Sequence, residues 1–173
     1  RIAYLSTFYP YRGGIAQFNA SLYREFEKLA EIQAYTFTRQ YPAFLFPGQS
    51  QFVSENDPAD KIPATRILDT INPLSWGKSA KEIQKFNPDL LITKFWMPYF
   101  APSLGRIARI LHKNGTKSIA ILDNVMPHEK RIFDTTLIKY FLKSQDGFIV
   151  MSQKVANDLL QFIPTVDSGK VVS

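Results

Sequence analysis

Strand-like and helix-like segments alternate along most of this chain, and this alternation limits its possible folds more than any other feature. A strand followed by a helix returns the chain so that the next strand runs parallel to the first. We therefore predict an α/β fold, a Rossmann-like parallel sheet with helices on both faces. The predicted strands are "RIAYLST" (1–7), "IQAYTFT" (32–38), "DLLITKF" (89–95), "KSIAILD" (117–123) and "GFIVMS" (147–152), and "GKVVS" at the end of the chain resembles the opening of another.

Apolar residues at helical spacing predict the helices between these strands. Residues 39–75 are predicted to be irregular, with a short edge strand near 65–70. We expect Ser152 to cap the last helix and the "NG" at 114–115 to end the one before "KSIAILD". The helical segments are a stripe of Ile15, Phe18, Leu22, Phe26 and Leu29, a second stripe of Leu104, Ile107, Ile110 and Leu111, and the runs 135–144 and 153–163.

Composition bounds the class of protein. The 173 residues are enough for one domain, predicted to span 1–173, and 45% of them are apolar. The net charge of +6 suggests an anionic partner, but the basic residues are scattered, so we do not expect nucleic-acid binding. Absence of cysteine fits a reducing cytoplasm, and we expect a cytoplasmic location, at the inner face of the membrane if the chain contacts lipid. We also expect a further domain beyond Ser173.

The loops at the two ends of the predicted strands differ in character. Plain turns, "FNPD", "KNGTK" and "SQDG", precede strands, whereas "TFYPYRGGI", "KFWMPYF" and "DNVMPHEKR" follow them. In an open parallel sheet, ligands bind outside the carboxyl ends of the strands. The long, aromatic and charged loops at those ends therefore predict the position of a site.

Gly13 and Gly14 fall between the first strand and the first helix. Glycine permits positive φ and close approach of a ligand, and the helix N-terminus behind it favours an anion such as a diphosphate. The alternative is a tight turn that only closes the connection. The sequence contains neither the pattern G-x-G-x-x-G nor the P-loop pattern, which argues against an NAD or ATP site.

The loops "DNVMPHEKR" and "KFWMPYF" contain candidate ligand-binding residues, and each candidate has two interpretations. His128 could bind a ligand or transfer a proton, or be a surface residue, and Lys130 and Arg131 are either phosphate ligands or solvated charges. The two histidines lack ligand-like spacing, so no metal site is expected. The aromatics of "KFWMPYFAP" either pack in the core or line a groove that stacks on sugar or lipid, and those of 39–52 raise the question of a membrane surface.

These loops together resemble the retaining glycosyltransferases of family four, the group 1 enzymes with the GT-B fold. "STFYPYRGGIAQFNASLYREF" resembles their first strand, Gly-Gly loop and first helix, and "KFWMPYFAPSLGRIARIL" a strand-to-helix segment of bacterial members. "DNVMPHEKR" is similar to their "HNV-P-HE" motif, and "DGFIVMSQKVANDLL" to a strand and helix containing "ad-vi-vS". The resemblance covers nearly the whole chain except roughly 40–70.

The resemblance implies the N-terminal, acceptor-side half of a two-domain hexosyltransferase. Such an enzyme moves a sugar from a nucleotide-diphosphate sugar to a glycan, lipid-linked or polysaccharide acceptor without metal or other cofactor. The C-terminal half, which holds the donor and carries paired glutamates, has no match here, so the fragment alone should be inactive. The implied residues are Arg12, Gly13, Gly14 and Ile15 at the donor diphosphate, Asp123 and His128 at the reacting sugar, and Tyr11, Lys94, Trp96, Tyr99 and Asn124 at the acceptor.

At one position the chain departs from the family pattern. Asp123 stands where the family has the first histidine of its motif, which leaves open whether it replaces that histidine in function. Two other interpretations remain. One is a non-catalytic α/β module that docks on an anionic membrane surface or a protein partner, and the other is a phosphate-dependent epimerase of similar architecture.

Overall fold

Parallel strands alternate with helices in the computed structural model, which describes residues 1–42, 51–54, 59–126, 132–163 and 171–172. The α/β prediction is confirmed, and a Rossmann-like fold is consistent with the architecture. The chain divides into a first unit, Arg1–Asp89, and a second unit, Leu90–Ser173. The elements are β1 (Ile2–Leu5), α1 (Gly14–Phe26), β2 (Ile32–Arg39), β3 (Ala64–Asp69), α2 (Pro73–Lys85), β4 (Leu90–Phe95), a 3₁₀ turn (Pro98–Phe100), α3 (Ala101–His112), β5 (Lys117–Leu122), α4 (Asp134–Leu142), β6 (Gly147–Val150), α5 (Gln153–Leu160) and β7 (Val171–Val172).

In the first unit, β2 lies between β1 and β3, and both pairings are parallel. Ile2 aligns with Ile32, and Ala34 aligns with Ala64. The expected short strand near 65–70 is therefore confirmed as β3. Its carboxyl end is tied to that of β2 by the Arg39–Asp69 ion pair, in which Nε donates to Oδ1 at 3.0 Å.

In the second unit the strand order is β4-β5-β6-β7, again all parallel. The Phe95 and Phe141 rings stack at 4.3 Å between centroids, which packs α4 on the end of β4. Helix α3 approaches α4 closely at Gly105, where an added Cβ would lie 2.7 Å from the Tyr140 ring. Strand β7 confirms the expected strand near the end of the chain.

The caps of the two predicted helix ends in this unit are as expected. The Ser152 hydroxyl accepts a hydrogen bond from the Val155 amide at 3.3 Å, so it is the N-cap of α5. After α3, Gly115 has a φ of +89°, and the Thr116 amide donates to Leu111 O at 3.3 Å. This left-handed glycine and the bond across it end the helix in the way such caps do.

Helix α2 was not predicted, and its sequence explains why. Its buried residues are Ser79, Ala80 and Ile83, and Ile83 alone among them is a large apolar residue, so they make no apolar helical stripe. Gly77 lies in its middle. The usable signal is Asn72 followed by Pro73, because the Asn72 side chain accepts from the Leu74 amide at 3.0 Å and proline favours the first helical position.

The buried face of α1 differs from the predicted stripe. The residues that α1 buries are Ala16, Asn19, Ala20 and Tyr23. The helical members of the predicted stripe, Ile15, Phe18, Leu22 and Phe26, are only half-buried. Leu29 lies beyond the end of the helix and is 81% exposed. Hydrophobic periodicity missed this face because a polar residue, Asn19, is at its centre.

None of the helices in the described part of the chain is long and apolar enough to cross a membrane.

Candidate functional site

One buried side chain of α1, that of Asn19, holds the loop between β1 and α1 by hydrogen bonds. Its Oδ1 accepts a hydrogen bond from the Tyr4 hydroxyl at 2.6 Å. Its Nδ2 donates to Ser6 Oγ at 2.9 Å and to Thr7 O at 2.8 Å. Asn19 is fully buried, and a buried amide with three partners fixes the backbone it binds. The start of the loop is therefore held rigidly against the helix.

The two glycines that follow have different structural requirements. Gly13 is the N-cap of α1, with φ 106° and ψ 173°, a region that only glycine occupies readily. Gly14 is the first helical residue, and a Cβ added there would meet no atom within 4 Å. An added Cβ meets no atom at either position, so the backbone conformation alone requires glycine at position 13 and not at position 14.

The N-terminus of α1 has no side-chain cap. Gly13 supplies no side-chain hydrogen bond, and the first turn has no acidic residue. The first amides of a helix have no partners within the helix, and together they carry the positive end of its dipole. The amides of Gly14, Ile15 and Ala16 are in this position, so this turn can donate hydrogen bonds to an anion.

A cavity of about 190 Å³ opens beside this turn within the first unit. It contains three residues from the predicted site, Tyr11, Arg12 and Gly13. Arg12 is exposed, and its guanidinium has no ion pair within the described residues. The other lining residues are Tyr9, Ala16, Gln17, Val53, Ala59 and Asp60.

Residues 51–53 close one side of the cavity by attaching to the β1–α1 loop. The Arg12 amide donates to Gln51 O at 3.0 Å, and the Val53 amide donates to Pro10 O at 2.9 Å. Phe52 lies against Tyr11, with ring centroids 5.1 Å apart. This short antiparallel contact converts an exposed loop into one wall of a pocket.

Tyr11 is part of the cavity wall, and its hydroxyl is not free. The residue is 2% exposed, and its hydroxyl donates to Phe37 O at 3.2 Å. Burial raises the pKa of the Tyr11 hydroxyl, which therefore stays protonated at neutral pH. The Tyr11 hydroxyl is therefore already engaged, and the residue forms part of the cavity wall.

Asp60 adds a carboxylate to the cavity and is held by Arg24 of α1. The Arg24 guanidinium donates to both carboxylate oxygens, at 3.0 and 2.8 Å. This bidentate hydrogen bond lowers the pKa of Asp60 below its usual value. The cavity is therefore lined by aromatic, amide, guanidinium and carboxylate groups, a set suited to a polyhydroxylated or phosphorylated ligand.

In the second unit, two residues of the predicted site form an ion pair at the ends of adjacent strands. Lys94 Nζ lies 2.7 Å from Asp123 Oδ1, and the Asp123 amide donates to Phe95 O at 3.0 Å. The lysine side chain is 2% exposed and the aspartate side chain 24% exposed. Solvent or a ligand can therefore reach the carboxylate, whereas the ammonium is enclosed.

The aromatic residues that follow β4 are partly packed and partly exposed. Phe100 is fully buried, and the half-buried rings of Trp96 and Tyr99 lie against it at centroid distances of 4.3 and 5.3 Å. Asn124 is exposed beside Asp123. His128, Lys130 and Arg131 lie outside the described residues.

Sequence reasoning missed Asn19 and the cavity residues Tyr9, Gln17 and Asp60. Asn19 had a usable signal, because an asparagine inside an amphipathic helix has to be explained by a buried partner or by solvent. Asp60 had none, since it follows a segment without recognisable pattern. No cluster of three or more potential metal ligands occurs among the residues described.

No protein-family model matches this chain, and no curated protein sequence is significantly similar to it.

Proposed function

We propose that this chain is the acceptor-side part of a retaining glycosyltransferase that uses a nucleotide-diphosphate sugar as donor. The ordered motifs that resemble family-four enzymes support this proposal. Support also comes from the uncapped first turn of α1, which follows Gly13 and faces open space at Gly14. This turn is the single observation that carries the proposal.

In this reaction, the first turn of α1 would stabilise the diphosphate that leaves the sugar. When the bond from the sugar to the phosphate breaks, negative charge increases on the phosphate oxygens. Amides of the first turn of α1, fixed before the reaction, would donate to those oxygens at no cost of reorganisation. The exposed guanidinium of Arg12 would add a positive charge beside them.

The proposed acceptor contact in the second unit is Asp123. Asp123 Oδ1 accepts from Lys94, while Oδ2 has no hydrogen bond within the part of the chain that the structure describes. In the proposal, Oδ2 accepts a hydrogen bond from a hydroxyl group of the acceptor and so helps to hold it. Lys94 acts through Asp123, because its ammonium is enclosed.

The experiment is a titration of the ¹⁵N-labelled chain with inorganic pyrophosphate and with a uridine diphosphate, followed by NMR. We expect the amide signals of Gly14, Ile15 and Ala16 to shift. Gly14→Val should weaken these shifts, because it places a branched side chain next to the amides of the first turn, at a position where nothing else lies within 4 Å of a Cβ. The matched control is Gly77→Val on α2, where a Cβ also meets no atom within 4 Å.

Circular dichroism and thermal melting of both variants check that the fold is intact. If Gly14→Val binds pyrophosphate as tightly as Gly77→Val does, the diphosphate role of this turn is wrong. The non-catalytic module predicts that result. Binding of inorganic phosphate in preference to either diphosphate would instead favour the epimerase.

A further inference from the structure

Helix α2 presents a narrow stripe of Leu74, Lys78, Lys81 and Lys85, here called the lysine stripe. Their spacings of four, three and four residues place them within an arc of roughly 60°, along about 16 Å of helix. All of them are exposed, Leu74 by 76%. Ile71, just before the helix, is 41% exposed. The stripe thus has three ammonium groups along its length and apolar side chains at one end.

The opposite side of α2 is fixed to β3, so the lysine stripe cannot turn inward. Ser79 Oγ donates to Ile67 O at 3.0 Å, and the indole of Trp76 donates to Asp69 O at 3.1 Å. Ala80 and Ile83 are fully buried on the same side. The outward orientation of the lysines is therefore set by packing and by side-chain hydrogen bonds.

The charges on the stripe are mostly uncompensated. Lys85 pairs with Glu82 at 2.6 Å, and Glu82 is the acidic residue of this helix. Lys78 and Lys81 have no ion pair within the described residues. Two positive charges thus remain on one face, and such a face attracts anions at a surface.

We propose that the lysine stripe docks this chain on an anionic phospholipid surface. The lysines would contact lipid phosphates while Leu74 and Ile71 enter the boundary between headgroups and acyl chains. A soluble polyanion would neutralise the lysines but leave both apolar side chains in water, so the pattern fits lipid better. This inference does not rest on the proposed function.

The experiment is sedimentation of the whole chain with phosphatidylcholine vesicles, with and without one-third phosphatidylglycerol. We expect binding only to the vesicles that contain phosphatidylglycerol. The triple variant Lys78→Gln, Lys81→Gln, Lys85→Gln should bind at least about tenfold more weakly, since each lysine near such a surface contributes to affinity. The matched control replaces three exposed lysines of the second unit, Lys113, Lys139 and Lys143, with glutamine.

A second variant tests the apolar end. Leu74→Ser should lower the binding that remains at high salt, where the attraction of the lysines is screened. Its control is Leu160→Ser, which removes another exposed leucine, 51% exposed at the end of α5.

Three outcomes would overturn the proposal. One is equal binding to both kinds of vesicle, and another is an equal loss in the control triple variant. The third is unchanged vesicle binding of Leu74→Ser together with equally tight binding of soluble heparin, which would identify a general polyanion site. All the substituted side chains are exposed, and thermal melting verifies that each variant is folded.

Discussion

The carboxyl end of β1 and the carboxyl end of β4 are built in opposite ways. After β1, the candidate site consists of backbone: a glycine at positive φ, the free amides of a helix turn and an open cavity. After β4, it consists of side chains: an enclosed lysine and a partly exposed aspartate. Backbone donors keep their place whatever the pH, whereas an ion pair holds a charge that burial would otherwise destabilise. The two regions should therefore respond to mutation very differently.

Asp123→Asn is the variant with the largest expected effect on stability. It would leave the Lys94 ammonium, 2% exposed, without its carboxylate, and breaking a buried pair from one side costs about 3 kcal/mol. Urea unfolding measures the change. The double variant Lys94→Met with Asp123→Leu should recover most of this loss, because it removes both charges.

A loss below about 1 kcal/mol in Asp123→Asn would show that other contacts of Lys94 suffice. The contrast between the two regions would then disappear.

Gly13→Ala should have the next largest effect, about 2 kcal/mol, because alanine is strained at φ 106° and ψ 173°. Gly14→Ala is its control and should leave the free energy of unfolding nearly unchanged, since a Cβ at that position meets nothing. Thermal melting of the pair separates the two glycines. If both variants lost the same free energy of unfolding, the destabilisation would come from changing the loop in general and not from the φ of Gly13.

Asp60→Asn should have the smallest effect on the free energy of unfolding, because both side chains of the Arg24–Asp60 pair are exposed. Arg24 lowers the pKa of Asp60 in the folded state, so the pair stabilises the fold above the unfolded pKa. That stabilisation is lost as the pH falls through the lower, folded pKa. Melting curves of the variant and the wild-type chain should therefore differ slightly at neutral pH and coincide in strong acid.

High salt should also remove the difference between Asp60→Asn and wild type at neutral pH. A difference that persists in acid would assign the effect to the shape of the cavity wall and not to charge.

The sequence was most informative where one physical signal dominates. The strands β1, β2, β4, β5 and β6 are recognisable because apolar, β-branched and aromatic residues concentrate in them between turn residues. Gly13 could be placed before the helix for a similar reason, since two glycines between a strand and a helix indicate a special turn. The difference between Gly13 and Gly14 could not be foreseen, because it depends on the φ of each residue.

Tertiary contacts decided what the sequence did not show. Helix α2 packs through Ser79 and Ala80, small residues that no hydrophobic pattern emphasises. Lys94 is the fifth residue of an apolar strand, and its partner Asp123 is distant along the chain, so only strand pairing shows that they meet. The cavity depends on residues 51–53 reaching the β1–α1 loop, a contact for which the sequence has no signal.

The Tyr4 hydroxyl offers a spectroscopic reporter of the β1–α1 loop. It is fully buried, and it donates to Asn19, the residue that holds the loop through Ser6 and Thr7. A hydroxyl proton so shielded exchanges slowly with water and gives its own proton resonance. A ligand that displaces the loop should change that resonance, whereas a ligand that binds to the loop as it stands should leave it in place, so the unmodified chain can show which of the two occurs.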